Sequence, residues 1–224
     1  MAGDSPFTLI WEEYNRLERQ ASALKPVLKA RGLDGDIKPV FCTSGDISRQ
    51  VAIHANSADI TVIGGAMTSD PQLTRRIVDG VLFRSSSPLM LLPKRKDGTL
   101  RPKRIVVGWD GRREAWIAVR SSINFLQDAH QVHLAIAGLD GEAVEEDGGD
   151  VGAFLSRHGV GFVIDRLLSE HSDPAIVLQR HAESIDADLI VMGAYGHSRL
   201  GERILGGTTE TILRQPLIPV LLAR

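Results

Sequence analysis

The sequence predicts an α/β protein built on open, doubly wound parallel five-stranded sheets, in two copies of one unit, the first copy lacking its opening β-α-β segment. Three observations point there. Short β-rich apolar runs alternate with longer segments of helical period, the pattern of βαβ units on a parallel sheet. The chain also resembles itself. Ala58-Asp59-Ile60-Thr61-Val62-Ile63-Gly64 and Ser87-Pro88-Leu89-Met90-Leu91-Leu92 are echoed by Ala187-Asp188-Leu189-Ile190-Val191-Met192-Gly193 and Ile218-Pro219-Val220-Leu221-Leu222. Asp59 and Asp188 lie 129 residues apart, and Pro88 and Pro219 lie 131 apart, so the offset is nearly constant, as a repeated structural unit requires. Finally, 224 residues with 43% hydrophobic and 24% charged side chains suffice for a sizeable core and for one large or two small domains.

The first copy reads as a helix over about 12–30, a strand over 37–42, a helix over 47–57, a strand over 60–63, a helix over about 72–84 and a strand over 89–92. The single cysteine, Cys42, has no disulfide partner in the chain and is expected as a small buried hydrophobe in its strand. Counterparts of the second copy's first strand, first helix and second strand are not found. This half should therefore lack one side of any crevice at its strand ends and leave a sheet edge to be covered. Between the copies, Pro93-Lys94-Arg95-Lys96-Asp97-Gly98-Thr99-Leu100-Arg101-Pro102-Lys103-Arg104 has the Pro, Gly and charge density of an exposed connector. The expected division is an incomplete first domain over 1–93, a linker over 94–103 and a complete second domain over 104–224.

In the second copy, strands are expected at 104–108, 131–137, 161–165, 188–192 and 218–222. Helices are expected at 114–127, about 150–158, 174–186 and 200–214. Asp173 before Pro174 is a natural N-cap. The segment 138–149, rich in Gly and acidic residues, reads as an insertion.

Lys and Arg total 26 against 28 Asp and Glu, so no global field draws in nucleic acid or an anionic membrane, and any anionic ligand must be held locally. The six basic residues of the connector have no interleaved aromatic side chain, which favours a solvated linker over a nucleic-acid site. With no basic-then-apolar leader and no membrane-length apolar run, a cytoplasmic setting is the expectation.

Ligands of open α/β sheets bind outside the carboxyl ends of the strands, where strand order reverses. Two segments of the second copy reach that edge. In Gly108-Trp109-Asp110-Gly111, an Asp-Gly turn offers either a carboxylate for a ribose hydroxyl or ring amine, or a helix cap. In the run from Met192 and Gly193 through Gly196, His197, Gly206, Gly207, Thr208 and Thr209, glycines expose backbone N–H groups and threonines add hydroxyl donors, a plausible phosphate cradle. Close helix packing is the other reading of Gly206-Gly207. For His197 the choice is between a donor near phosphate and a helix cap. The spacing is neither a Rossmann fingerprint nor a Walker A loop. The seven histidines are scattered, His130 and His133 bracket a strand start, and no second cysteine joins them, so no metal centre is expected.

With these residues in view, the second half resembles a universal stress protein domain of the ATP-binding, adenine nucleotide alpha-hydrolase-like type. Gly193, two residues, Gly196, nine residues and Gly206 reproduce that family's glycine spacing. Gly207 stands where a hydroxyl residue is usual, and the hydroxyls follow at Thr208 and Thr209. Arg112 replaces a small hydroxyl residue and could either reach a phosphate or obstruct the pocket. The resemblance implies ATP as ligand, with Mg²⁺ as an accompanying ion. It puts Asp110 at the adenosine end, Trp109 beside it, and Ile136 and Ala137 along the adenine slot.

The resemblance spans residues 101–224 fully and 12–93 in part. Rough alignment of the first copy puts Met67 and Arg75-Arg76 where the phosphate glycines would be, so that half should not bind nucleotide in this way. It further implies that the last strands pair antiparallel, 88–92 with 219–222, making the first domain an intrachain dimerisation partner.

The reading is a stress-response regulator that binds ATP and acts through conformation or partner contacts, with a second copy or a signalling protein as partner. Hydrolysis or autophosphorylation at Ser198, Thr208 or Thr209 would be slow, since no general base is evident nearby. The alternative is a structural or interaction module of the same fold without nucleotide. An adenylating enzyme would need a substrate-binding extension for which the chain is too short.

Overall fold

The computed structural model describes residues 6–64, 70–93, 101–138, 148–168, 173–196 and 207–224. Outside them lie His197, Ser198 and Gly206 of the expected cradle, Met67, most of the linker and of the 138–149 insertion, and the start of the helix expected from residue 200.

In chain order the elements are α1 (Pro6–Ala30), α2 (Ile47–Ala55), β1 (Thr61–Ile63), α3 (Pro71–Arg84) and β2 (Leu89–Leu91), followed by β3 (Arg104–Trp109), α4 (Arg113–Ser121), α5 (Ile123–Asp128), β4 (Gln131–Gly138) and α6 (Gly149–Arg157). The chain closes with β5 (Val163–Leu168), α7 (Pro174–Ser184), β6 (Leu189–Gly193), α8 (Gly207–Arg214) and β7 (Val220–Ala223). All described strands join one seven-stranded sheet of order β1-β2-β7-β6-β3-β4-β5. From β7 to β5 the five strands are mutually parallel. β1 and β2 are parallel to each other, and β2 meets β7 antiparallel with Leu89 opposite Leu222 and Leu91 opposite Val220. The fold is thus the expected doubly wound α/β type, and the expected antiparallel pairing of the two last strands is present.

Alternation along the strands divides the core into two apolar layers, because successive side chains leave opposite faces. Val106, Ala135, Ile190 and Leu222 join Val78 and Val81 of α3, Ala182 of α7 and Ile212 of α8 on one face. Ile105, Val107, Trp109, Leu134 and Val191 join Val119 of α4 and Leu155 of α6 on the other. The first half enters both layers, with Leu89 and Leu91 in one and Met90 in the other. Asp70 and Asp173 cap α3 and α7 as Asp-Pro starts should, their carboxylates accepting from Gln72 N and Leu73 N at 3.0 Å and from Ala175 N at 2.9 Å. Asp188 ties the amino ends of β3 and β6 together by accepting from the backbone N–H groups of Lys103 and Arg104.

Several expected elements differ. Residues 37–42 form no strand: Pro39 lacks a ladder donor, and Val40 and Phe41 are 42% and 50% exposed. Cys42 is accordingly half-buried in an irregular segment rather than enclosed in a strand. The helix expected over 114–127 breaks at Ser122, a fully buried residue whose hydroxyl donates back to Val119 O at 3.1 Å. The strand expected at 161–165 runs instead over Val163–Leu168, because Asp165 lies inside it facing a polar partner set. The last strand begins at Val220, after Pro219. Helix α1 starts earlier than expected and is mostly exposed, with Trp11 at 65% and Ala21 its buried residue among the described side chains. None of the described helices is long and apolar enough to cross a membrane.

Candidate nucleotide crevice

Strand order reverses between β3 and β6: from β3 the sheet grows through β4 to β5, and from β6 through β7. Both strands deliver their carboxyl ends to one rim, and both expected motifs lie there.

After β3, Asp110 turns the chain into α4. Its Oδ1 accepts from Arg112 N at 3.1 Å, Gly111 takes a left-handed φ of 74°, and Arg112 Nε lies 4.0 Å from Asp110 Oδ2. The Asp110 side chain is still 56% exposed, with one oxygen used by the turn and the other facing the Arg112 guanidinium. Trp109, the last residue of β3, is 4% exposed and meets Trp116 edge-on at 4.9 Å. Its Nε1–H has no hydrogen-bond partner among the described residues, a buried donor of the kind that costs about 1–3 kcal/mol unless satisfied.

After β6, Gly193 is forced by space. A Cβ there would lie 2.6 Å from Ala115 N and 2.7 Å from Glu114 C, so the first turn of α4 rests directly on this residue. Tyr195 follows with φ 57°, and its N–H donates to Thr209 Oγ1 at 3.2 Å, tying the turn to α8. Gly196 faces the other motif, since a Cβ on it would stand 3.2 Å from Glu114 Oε2 and 3.6 Å from Arg112 Cδ. The two expected segments therefore meet, with Arg112 and Glu114 between them.

The remaining expected residues are spread in depth. Met192 is 7% exposed in the core beneath α7, and Ile136 is 1% exposed on the opposite face, under Gly148. Ala137 stands opposite Leu167 in the β4–β5 ladder. Gly207 opens α8 with free space around its Cβ position. Thr208 is half-buried and Thr209 is 3% exposed, its oxygen engaged by Tyr195. Sequence reasoning did not find that the first half reaches this rim. Phe83 of α3 touches Tyr195 at 5.0 Å between ring centroids and carries the Arg224 guanidinium 4.1 Å above its face.

A second cluster, also missed, lies on β4, β5 and α7, where Asp165 Oδ2 is 2.7 Å from both His133 Nδ1 and His181 Nε2. These residues are 32 and 16 positions apart, so no local spacing announces them. The strand period could have paired Asp165 with His133 had the strand's limits been known.

Comparison with known proteins adds four findings. A family model described as the universal stress protein family matches residues 102–224. Universal stress protein Slr1230 of Synechocystis sp. is 45% identical over 65 residues, 29% of this chain and 22% of that protein, so the match spans about a fifth of the curated relative. A universal stress protein from Archaeoglobus fulgidus DSM 4304 superposes on 100% of this chain and 81% of its own, with TM-score 0.72 and 19% identity. The functionally unknown protein PA1789 of Pseudomonas aeruginosa PAO1 covers 92% of this chain and 77% of its own at TM-score 0.54 and 16% identity. At these identities the two structures establish a shared fold.

Proposed function

Because the chain belongs to the universal stress protein family, we propose that it is a stress-response regulator that binds adenine nucleotide, as ATP, in the crevice between β3 and β6. The observation that carries this reading is the meeting of the Asp110 turn and the Gly196 turn where strand order reverses. The residues suit the ligand: a buried Trp109 donor lacks a described partner, the Asp110 side chain is 56% exposed, and α8 begins with an uncrowded glycine.

In this reading Asp110 takes a ribose hydroxyl, Trp109, Ile136 and Ala137 lie near the base, and Met192, in the opposite core layer beneath α7, supports the end of β6 from below. The phosphates are assigned to the backbone N–H groups of Gly196 and Gly207 and the Thr208 hydroxyl at the start of α8, and the glycine spacing adds Gly206 and His197, which lie outside the described residues. Gly193 and Thr209 position these groups, the first by admitting α4 and the second by holding Tyr195. Bound ATP, with Mg²⁺ on its terminal phosphates, supplies negative charge that offsets the Arg112 cation. Autophosphorylation or hydrolysis is at most slow, and of the two candidate hydroxyls among the described residues Thr209 is the less accessible.

Residues 1–93 act as an intrachain pairing partner for the module at 104–224, with 94–103 as linker. The register of β2 on β7 supports the pairing. A second copy of the chain or a signalling protein reads the bound state, in the cytoplasm.

One observation favours a second reading, an interaction module without nucleotide. Arg112 and Glu114 already fill the space between the two turns, and Arg112 leans toward the Asp110 oxygen that a ribose would use.

Calorimetric titration of Mg²⁺-ATP into nucleotide-free protein, beside Gly207→Asp, separates the two. Gly207 has open space and a place at a helix start, so the aspartate costs the fold little while opposing phosphate. Micromolar binding, about -8 kcal/mol, weakened at least tenfold in Gly207→Asp is the expected result. An absence of binding by verified nucleotide-free protein overturns the ATP reading in favour of the module.

A further inference from the structure

The His133, Asp165 and His181 cluster belongs to neither motif of the crevice. His133 and Asp165 lie on neighbouring strands, with His133 opposite Val163 and Asp165 opposite Ala135, so both side chains leave the same sheet face. α7 covers that face and brings His181 over it. Trp109 and Ile136 point to the opposite face. His133 is also three residues nearer the amino end of β4 than Ile136, roughly 10 Å along the strand at about 3.3 Å per residue. The cluster therefore lies apart from the Asp110 turn, although it shares its sheet face with Met192, and the assignment does not depend on the nucleotide reading.

From this placement we infer that His133 Nδ1, Asp165 Oδ2 and His181 Nε2 form a binding site for a divalent transition-metal ion of the zinc class. The donor set is two imidazoles and one carboxylate, the nitrogen and oxygen ligands that such ions prefer. The three donor atoms lie within 4.8 Å of one another. The side chains of His133, Asp165 and His181 are 17%, 21% and 18% exposed, enclosed enough to be held in place and open enough to leave a coordination position for water.

Three separate elements supply the ligands, so the backbone fixes their spacing before any ion arrives. Without an ion, Asp165 Oδ2 stands 2.7 Å from both ring nitrogens, close enough for each to donate to it. Bonds of about 2.0–2.1 Å at a tetrahedral ion separate neighbouring ligands by roughly 3.3 Å. The two nitrogen–oxygen pairs then open by about 0.6 Å, and the two ring nitrogens, within 4.8 Å of each other, take up the same spacing. Entry of the ion requires each neutral ring to carry its proton on the other nitrogen, and the Asp165 carboxylate offsets part of the ion's charge.

The test uses the untagged full chain with Zn²⁺ and, for a visible spectrum, Co²⁺. One equivalent should bind with micromolar or tighter affinity, raise Tm, and give Co²⁺ a low-coordinate visible band. His181→Ala and Asp165→Asn should each weaken binding at least 100-fold, whereas His130→Ala, on an exposed residue outside the cluster, should leave it unchanged. If either cluster variant fails to fold, imidazole nitrogen NMR of the wild-type chain decides. Zn²⁺ should shift Nδ1 of His133 and Nε2 of His181 together. No saturable binding by the wild type, equal binding by the cluster variants, or shifts confined to other histidines each overturns the assignment.

Discussion

Replacing Gly193 by alanine asks whether that glycine serves the helix above it or the ligand beside it. The added Cβ would sit 2.6 Å from Ala115 N, 2.7 Å from Glu114 C and 2.8 Å from Glu114 Cβ. Two of these are backbone atoms, so relief requires α4 to move as a unit. Overpacking of this kind costs about 3 kcal/mol at the upper end of its usual range. Loss of glycine's freedom in the unfolded chain returns roughly 0.4–1 kcal/mol. A net cost of about 2 kcal/mol lowers Tm by roughly 4–8 °C in a chain of this size. Gly207→Ala is the matched control: nothing stands within 4 Å of its Cβ position, so it should melt at or slightly above the wild-type temperature. Thermal unfolding followed by circular dichroism reads both, with urea unfolding as a check on the size of the effect. A Gly193→Ala protein within about 0.5 kcal/mol of wild type, the ordinary range for a substitution that disturbs nothing, refutes the packing argument.

Two further outcomes follow from the same structure. Leu91→Ala, at a fully buried position where β2 meets β7, should cost about 2–5 kcal/mol in urea unfolding, which would establish that the antiparallel seam contributes to the fold of the whole chain. The Thr43 hydroxyl, then the Arg49 guanidinium, hold the exposed Asp46 carboxyl below its usual range. Its folded value is the lower one, so the small stabilisation is present above the ordinary carboxylate range and lost as pH falls through the folded value. Thr43→Ala should move the Asp46 titration upward in carbon-detected NMR.

The centre of the parallel half was legible because β3, β6 and β7 are buried on both faces and read as nearly unbroken apolar runs, as at 105–107 and 189–192. The Asp173-Pro174 start was equally plain, since its cap is local chemistry. Illegible features depend on residues remote in sequence. Ile37 and Val40 look strand-like, but they form no ladder. Asp165 reads as a strand end because a carboxylate inside an apolar run looks like a stop, and only His133 and His181 explain it. The glycine spacing points to the carboxyl end of β6, yet it could not distinguish Gly193, pressed under α4, from Gly207, which faces open space. Phe83 carried no signal at all, because its contact with Tyr195 exists only once β2 has joined β7.

The β2–β7 seam also sets a schedule for synthesis on the ribosome. Leu89, Met90 and Leu91 are 0%, 1% and 0% exposed in the finished sheet, but their partners Val220, Leu221 and Leu222 are translated more than a hundred residues later. Contacts that distant in sequence form late. Throughout that interval the nascent chain carries an uncovered apolar strand edge, able to join the same segment of a neighbouring chain. The growing polypeptide therefore carries this edge unpaired between the emergence of residue 91 and that of residue 220, and slowing elongation should increase misassembly at this seam.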